Sequence, residues 1–197
     1  DDNFENYLEN NGMGDGIMMN NYVYTSNIQN VTNLDISGLA IMDFSGIENF
    51  ISLQELRCQN NGDMLGNFGP SSLSLPHASN LTYLDFSGNS LSYLLITNCS
   101  DLQFLNCNYN NLTSIDISTN TLLTDLNVGS NDLTSIDVST NTLLTNLNCN
   151  YNNLTSIDVS TNTLLTNLNC NYNNLTSIDI STNTLLTDLN LSGNDLT

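Results

Sequence analysis

The chain has 197 residues, and 20 of them are Asp or Glu against a single Arg (Arg57) and no Lys, which gives a formal charge of −19. This charge argues against nucleic acids and anionic membrane surfaces as partners, because almost no side chain can neutralise phosphate. No apolar run approaches the roughly 18 residues of a membrane span, so we expect no membrane insertion by this segment. No signal peptide is visible, so we expect a cytosolic or an already processed chain.

Residues 1–30 do not repeat, and we predict that they form an N-terminal cap. The residues from Asp2 to Glu5 have the spacing of a capping box, with Asp in place of Ser or Thr. Phe4, Tyr7 and Leu8 then share one face of a helix. The sequence therefore predicts a short helix that covers the open end of the core.

From residue 31 onward the sequence repeats, with a period of 21 residues in its most regular part. The predicted units are 31–52, 53–80, 81–101, 102–122, 123–143, 144–164 and 165–185, followed by a partial unit, 186–197. The second unit carries seven extra residues between Asn61 and Leu73. One unit has too little core to fold alone, whereas stacked units share a continuous core. The period therefore predicts a solenoid, 31–197.

Each unit opens with a short segment in which apolar and polar residues alternate. Leu102, Leu105 and Cys107 are the apolar members in one unit, and this pattern predicts a strand with one buried face. The rest of the unit alternates between turn residues and isolated apolar residues. We therefore predict a mostly β fold, with short parallel strands on the concave face and turns and short extended segments elsewhere.

Asparagine recurs at two fixed positions of the unit. The first column, to which we assign a structural role, includes Asn110, Asn131, Asn152 and Asn173, and the second contains Asn120, Asn141, Asn162 and Asn183. An amide has donors and an acceptor, so it can bond the turn backbone of its own coil and of a neighbouring coil. We expect both columns to be buried and hydrogen-bonded.

Cysteine occupies the sixth position of several units, which also gives it a structural role. The cysteines concerned include Cys107, Cys149 and Cys170, and Val128 and Leu191 hold the same position in other units. A position that accepts Val or Leu is a core position, where a thiol acts as a small apolar group. Adjacent coils bring Cys149 and Cys170 within possible reach of a bridge, but stacked parallel side chains rarely adopt the disulfide dihedral. We predict free thiols.

A column of aspartates lies between inward-pointing apolar residues and is expected to face solvent. Its members are Asp116, Asp137, Asp158 and Asp179. Neighbouring charges ~5 Å apart repel by about 0.8 kcal/mol in water, so the column requires compensation. Hydroxyls such as those of Ser118 and Thr113 offer one solution, and bound calcium, which prefers oxygen ligands, offers the other. Calcium is the one cofactor that this sequence leads us to consider.

The outward-facing residues of the strands are nearly all Asn in the C-terminal units but vary in the N-terminal ones. The predicted binding residues are Glu55, Arg57, Tyr83, Asp85, Phe104 and Asn106, together with Tyr109 from a second stripe that includes Tyr151 and Tyr172. Tyr83 and Phe104 are expected to be neighbours on adjacent coils. Exposed aromatic rings beside amides and carboxylates suit a protein or a glycan partner.

The seven extra residues of the second unit allow two interpretations. They lie around Met64, Leu65, Phe68 and Pro70, and we expect them to project beside the predicted binding residues. Loops longer than their scaffold requires often carry function. Alternatively, this loop covers the join between units of unequal length.

Three functions remain open, and catalysis has no support. His77 is the only histidine and no Ser–His or Cys–His pairing is recognisable, so we expect no catalytic residues. The first hypothesis is binding, and the second is a structural spacer, which the near-identity of the last four units favours. Thr119 and Thr121, which recur in later units, raise ice binding as a third.

The motif LxxLxCxxNxLTSIDxS resembles the leucine-rich repeat family. It is similar in particular to the 21-residue, cysteine-containing repeats of internalin J and of secreted Bacteroidetes (flavobacterial) surface proteins, and the opening DDNFENYLENNGMGDGI is similar to a flavobacterial cap. The resemblance implies a leucine-rich repeat solenoid, a secreted or bacterial cell-surface location, and adhesion or recognition. It also implies more repeats and a C-terminal secretion or anchoring domain.

Overall fold

A computed structural model describes residues 1–62 and 69–197. The chain winds into a solenoid in which successive coils contribute three-residue strands to a parallel sheet. The strands, in chain order, are β1 (Asn33–Asp35), β2 (Glu55–Arg57), β3 (Ser72–Ser74), β4 (Tyr83–Asp85), β5 (Tyr93–Leu95), β6 (Phe104–Asn106), β7 (Asp125–Asn127), β8 (Asn146–Asn148), β9 (Asn167–Asn169) and β10 (Asp188–Asn190). The predicted solenoid of short parallel strands is thus confirmed.

The main sheet has eight strands in the order β1-β2-β4-β6-β7-β8-β9-β10. The strands pair without any shift in register, so that Leu56, Leu84 and Leu105 are aligned. These three leucines are fully buried, while the residues on either side of them in each strand point away from the core. The strict register therefore turns each outward position of the repeat into a straight column on the sheet surface.

A second sheet of two strands, β3 and β5, was not predicted. Leu73 is aligned with Leu94 in this sheet, and both are buried. In the later units an aspartate such as Asp116 replaces Leu95, and its side chain bonds the backbone N–H two residues on. This local bond competes with strand pairing, which explains why the second sheet does not extend through the array.

The N-terminal cap contains helix α1 (Asp2–Asn10) and a short helix α2 (Thr25–Ile28), and a 3-10 helix, Ile47–Asn49, lies in the first coil. The predicted capping box is wrong by one residue, because the side chain of Asp1 accepts bonds from the N–H groups of Asn3 and Phe4. Glu5 is drawn away from the helix start by the N–H groups of Asn20 and Asn21, at 2.7 and 2.8 Å. Capping therefore begins one residue earlier than the pattern indicates.

Phe4 and Leu8 of α1 are buried, and Tyr7 is half-buried beside them. The Phe4 ring packs edge-on against Phe44 and faces Phe50, with ring centroids 6.1 and 6.4 Å apart. The helix thus covers the first coil with the apolar face that the sequence predicts. No helix of the described residues combines the length and apolarity that crossing a bilayer requires.

Buried asparagine amides tie each coil to the one before it. In the first column, Asn131 Nδ2 donates to Cys107 O and Val128 O, both at 3.0 Å, and its Oδ1 accepts from Leu112 N at 2.9 Å. The same pattern holds at Asn110, Asn152 and Asn173. Each amide therefore closes its own turn and satisfies the backbone of the preceding coil.

The asparagine amides of the second column form fewer hydrogen bonds than those of the first. Asn141 Nδ2 donates to Ile117 O and Asn120 O, and the other members repeat this bond pair. The buried Oδ1 atoms of this column have no protein partner, and they belong to Asn120, Asn141, Asn162 and Asn183. The amides of the first column thus both donate and accept hydrogen bonds, whereas those of the second column only donate.

The cysteines lie in the core. All five are free and buried, and Cys107, Cys149 and Cys170 are fully inaccessible to solvent. Burial raises the pKa of the Cys107 thiol to about 12. The sulfur atoms of Cys149 and Cys170 lie 3.1 Å apart, because their coils are stacked in register.

The predicted loop of the second unit lies largely outside the described residues. This applies to Met64, Leu65 and Phe68, whereas Pro70 is buried at the point where the described chain resumes. Pro70 therefore does not project from the surface.

Candidate functional site

Three side chains from strands β2, β4 and β6 stack in a row on the concave face, and we call this row the stacked patch (Arg57, Tyr83 and Phe104). The rings of Tyr83 and Phe104 are parallel within 2°, with centroids 4.3 Å apart. The guanidinium carbon of Arg57 lies 4.3 Å from the centroid of the Tyr83 ring, on which it forms a cation–π contact. The patch therefore consists of a cation and two aromatic rings in successive layers.

Hydrogen bonds fix the Arg57 end of the stacked patch. The Nε of Arg57 donates to Glu55 Oε1 at 2.6 Å, and its Nη1 donates to Tyr83 Oη at 3.2 Å. Arg57 and Glu55 also form an ion pair whose side chains remain about one-third exposed. Burial raises the pKa of the Tyr83 hydroxyl, and the positive charge of Arg57 opposes this effect. Because these bonds hold the cation over the ring, the patch is ordered before any partner arrives.

Asp85 and Asn106 lie beside Tyr83 and Phe104, in the same outward column as Arg57. Asp85 Oδ1 accepts from the backbone N–H and the hydroxyl of Ser87, at 3.0 and 2.7 Å. Its other oxygen accepts from Asn106 Nδ2 at 3.3 Å. The carboxylate is therefore held in place while keeping acceptor capacity toward solvent.

A shallow groove of ≈ 240 Å³ continues from Phe104 along the concave face. Its polar walls include Asp125 and Asn146, whose side chains are bonded to each other at 2.6 Å. Asp125 is not among the binding residues predicted from the sequence. The available signal was that Asp125 follows Phe104 in the same outward column, one coil further on.

The structure separates Tyr109 from the other predicted binding residues. Glu55, Arg57, Tyr83, Asp85, Phe104 and Asn106 all lie on the strands of the concave face. Tyr109 instead lies on the turn that follows β6, in a left-handed backbone conformation with φ of 52°. It therefore belongs to a different surface of the coil.

The aspartate column obtains its compensation from serine. Ser118 donates both its backbone N–H and its hydroxyl to Asp116 Oδ1, at 3.0 and 2.7 Å. Hydrogen bonds of this kind lower the pKa of every member, with the serine hydroxyl as the largest cause in three of them and the backbone N–H of Ser181 in Asp179. The negative charges of the neighbouring aspartates act in the opposite direction on Asp158, with a smaller effect. Local bonds thus outweigh repulsion along the column.

A metal ion requires several ligands in one place. Among residues 1–62 and 69–197, no three His, Cys, Asp or Glu side chains are grouped so as to hold one. The expectation of calcium at Asp116, Asp137, Asp158 and Asp179 therefore rests on the charge of the column, and it stays a prediction.

Solved structures with the same architecture identify the family. The functional domain of internalin J from Listeria monocytogenes, which includes a cysteine ladder, superposes with a TM-score of 0.78 at 36% identity, over 100% of this chain and 46% of that chain. The chain is a leucine-rich repeat protein. A leucine-rich repeat protein of Leptospira interrogans matches with a TM-score of 0.67 and 27% identity, over 88% of this chain and 52% of that one.

A chain of the LRIM1/APL1C complex shares the same leucine-rich repeat fold, with a TM-score of 0.74 and 26% identity over 89% of this chain and 33% of that chain. This chain thus spans about half the length of the two bacterial proteins and a third of the third structure. No protein-family model and no curated protein matches the sequence.

Proposed function

We propose that this leucine-rich repeat protein is a secreted or cell-surface recognition module that binds a protein partner through the stacked patch. The observation that carries the proposal is the Arg57–Tyr83–Phe104 stack itself. Arg and Tyr are among the residues that contribute most to binding at protein interfaces. Arg57 and Tyr83 lie on coils whose outward-facing residues vary, whereas the outward-facing residues of the C-terminal coils are almost all Asn.

The order of the stacked patch favours affinity. Binding costs free energy when flexible side chains are immobilised, at about 0.5–1.5 kcal/mol for each rotamer-rich side chain. Arg57 is already held by Glu55 and Tyr83, so a partner that docks on its outer face avoids part of this cost. The groove beyond Phe104 extends the contact surface along the same face.

The charge of the chain favours a basic partner. A net charge of −19 attracts cationic proteins over distances comparable to the Debye length, and such steering raises the association rate. Asp85 and Asp125 flank the patch with carboxylates that can pair with Lys or Arg of the partner. We therefore expect the association rate to fall as salt is added.

A structural spacer is the second candidate function. The units from Leu123 to Leu185 are almost identical, and identical coils extend a rod without adding a distinct surface. Ice binding is less favoured, because the hydroxyls of Thr119, Thr161 and Thr182 donate to carbonyl groups of the preceding coil, at 2.7, 3.1 and 3.0 Å. These donors are therefore engaged within the protein.

A protein microarray tests the proposal with the protein and two variants. Tyr83→Asn combined with Phe104→Asn gives these coils the surface of the C-terminal coils, which carry Asn146 and Asn167 at the same register. Tyr93→Asn is the matched control, since it removes an exposed tyrosine from β5, which lies outside the main sheet. We expect basic proteins to be captured by the native chain and the control, and capture to fall about tenfold or more with the double variant.

Two results would contradict this proposal. Equal capture by the double variant and the native chain would place the binding surface elsewhere on the solenoid. Absence of any specific capture by all three proteins would favour the spacer function.

A further inference from the structure

One position of the coil adopts a left-handed backbone conformation throughout the solenoid, three residues after each strand of the main sheet. The residues and their φ angles are Gly38 (66°), Asn60 (57°), Gly88 (65°), Tyr109 (52°), Ser130 (52°), Tyr151 (49°), Tyr172 (51°) and Gly193 (70°). Gly and Asn adopt this conformation readily, whereas a bulky side chain costs roughly 1–2 kcal/mol. The turn is therefore made without Tyr in five of the eight coils, and the three tyrosines need another explanation.

The three tyrosines are strongly exposed. The rings of Tyr151 and Tyr172 stack with centroids 4.4 Å apart and planes inclined by 17°, and these residues are 51% and 50% exposed. Tyr109 is 67% exposed, because Ser130 occupies the next position and supplies no ring to stack on it. Strained, exposed residues of this kind concentrate at functional sites.

Ser130 places a small side chain at the register of Tyr109 and Tyr151 on the coil between them, and we call this position the slot. The N–H of Tyr109 donates to Gly129 O, on the coil of Ser130, at 3.0 Å. The N–H of Ser130 donates in turn to Asn150 O, on the coil of Tyr151, at 2.8 Å. Tyr109 and Tyr151 are thus two coils apart, or roughly 9–10 Å at the usual spacing of strands. A six-membered ring between them would lie ~4.5–5 Å from each aromatic face, which is the distance of a good stacking contact.

The surroundings of the slot are polar. On the strand side, Asn108 and Asn150 precede the two tyrosines, and on the other side Asn111 and Asn153 flank the exposed carboxylate of Asp132. The Asn150 side chain lies over Gly129, the residue before Ser130. A Cβ atom added to Gly129 would lie only 2.0 Å from Asn150 Oδ1. Amides both donate and accept, as the hydroxyl groups of a sugar require. The chain has almost no cation and a charge of −19, which disfavours anionic ligands.

We propose that Tyr109, Ser130 and Tyr151 form a binding site for a neutral sugar ring of a glycan. The ring inserts between the two aromatic faces above Ser130, and the flanking asparagine amides bond its hydroxyl groups. Tyr172 supports this site by packing against the far face of Tyr151. The site is separate from the stacked patch and does not depend on it.

Titration with neutral oligosaccharides tests this site. The chain has no Trp, so its fluorescence comes from eight tyrosines, three of which form the column. The probes are β-1,4- and β-1,3-linked gluco-oligosaccharides, chito-oligosaccharides, α-1,4-linked gluco-oligosaccharides and manno-oligosaccharides, each to about 10 mM. We expect at least one to bind with a saturable change, and Tyr109→Ser or Tyr151→Ser to weaken it about tenfold.

Ser130→Tyr distinguishes a sugar site from a purely structural stack. This substitution fills the slot and completes the row of rings, so it should abolish sugar binding without lowering the melting temperature. Tyr93→Ser removes a tyrosine that is 56% exposed on β5 and should leave binding unchanged. Tyr83→Asn with Phe104→Asn should also leave it unchanged, which separates this proposal from the proposed protein partner.

Three results would overturn the proposal. The first is that none of the oligosaccharides changes the fluorescence. The second is that Ser130→Tyr binds them as well as the native chain does. The third is that Tyr109→Ser and Tyr151→Ser both bind with unchanged affinity.

Discussion

Single asparagine side chains connect the coils, and the two columns do so to different degrees. Asn152 Nδ2 donates to Val128 O and Cys149 O, and its Oδ1 accepts from Leu133 N. Asn162 Nδ2 makes the two corresponding donor bonds, but its buried Oδ1 has no protein partner. Since an unpaired buried N–H group costs more than an under-satisfied carbonyl, the first column should contribute more to stability.

Replacing these residues by leucine tests that ranking. We expect Asn152→Leu to lower the free energy of unfolding by about 1–3 kcal/mol, because it leaves the Leu133 N–H unpaired and removes one of the two amide bonds to Val128 O and to Cys149 O. Asn162→Leu should have a smaller effect, because it also removes an unpaired acceptor. Urea denaturation of both variants measures the difference. Equal losses, or a larger loss in Asn162→Leu, would contradict the assignment.

The five cysteines should be free thiols in the purified protein. Alkylation under denaturing, non-reducing conditions should add five labels, which the intact mass reports. In the native protein we expect slow labelling, because burial raises the pKa of Cys99 and Cys107 to about 12 and leaves little thiolate. A native mass lower by two protons, with two labels missing, would instead reveal a bridge between Cys149 and Cys170.

At the scale of the structural element, the aspartate turns depend on charge-assisted bonds. The pKa of Asp137 lies below its ordinary value, first because of the Ser139 hydroxyl and then because of the Ser139 N–H. A depressed pKa means that the folded state favours the carboxylate. The resulting stabilisation is present above the unfolded pKa of about 3.9 and is lost as the pH falls through the lower folded value.

Asp137→Asn separates these bonds from repulsion between coils. We expect the variant to melt below the native chain at pH 7, because it loses the charged acceptor. The difference should begin to shrink below about pH 4, where the carboxyl of the unfolded chain becomes protonated, and it should vanish as the pH falls through the lower folded pKa. Thermal melts at several pH values measure this. A variant that melts above the native chain at pH 7 would show that repulsion from Asp116 and Asp158 dominates.

The sequence predicts elements best where the repeat is regular. Alternating residues such as Leu105 and Cys107 identify the buried face of the strand, and the 21-residue period then places Tyr83 beside Phe104. The cation–π contact between Arg57 and Tyr83 is not predictable this way, because it runs diagonally between two outward columns and depends on a rotamer. The pairing of β3 with β5 escaped prediction because it occurs before the aspartate column begins, where Ser74 and Leu95 hold the register of Asp116.

At the scale of the whole molecule, the charge of −19 should limit stability at low ionic strength. The Debye length is ~8 Å near physiological salt, and shorter-range repulsion between adjacent coils persists there. We expect sodium chloride, raised from low ionic strength, to increase the melting temperature by roughly 2–5 °C. Flat melting curves would mean that hydrogen bonds already neutralise the charged columns.

Millimolar calcium at matched ionic strength tests the calcium expectation in the same assay. A site in the aspartate column would raise the melting temperature above the sodium chloride value, because a ligand that binds only the folded state stabilises it by mass action. Asp137→Asn should then reduce this additional increase. Superimposable calcium and sodium chloride curves would remove calcium and leave only screening.

The central claim is that the variable N-terminal coils recognise a partner while the repeated coils support them. Hydroxyl-radical footprinting of the complex with a captured partner tests it most directly, because the patch contains two reactive aromatic rings. We predict that the partner reduces oxidation of Tyr83 and Phe104 several-fold and leaves Tyr93, on the separate strand β5, unchanged. Unchanged oxidation of Tyr83 and Phe104 in a saturated complex would contradict the claim.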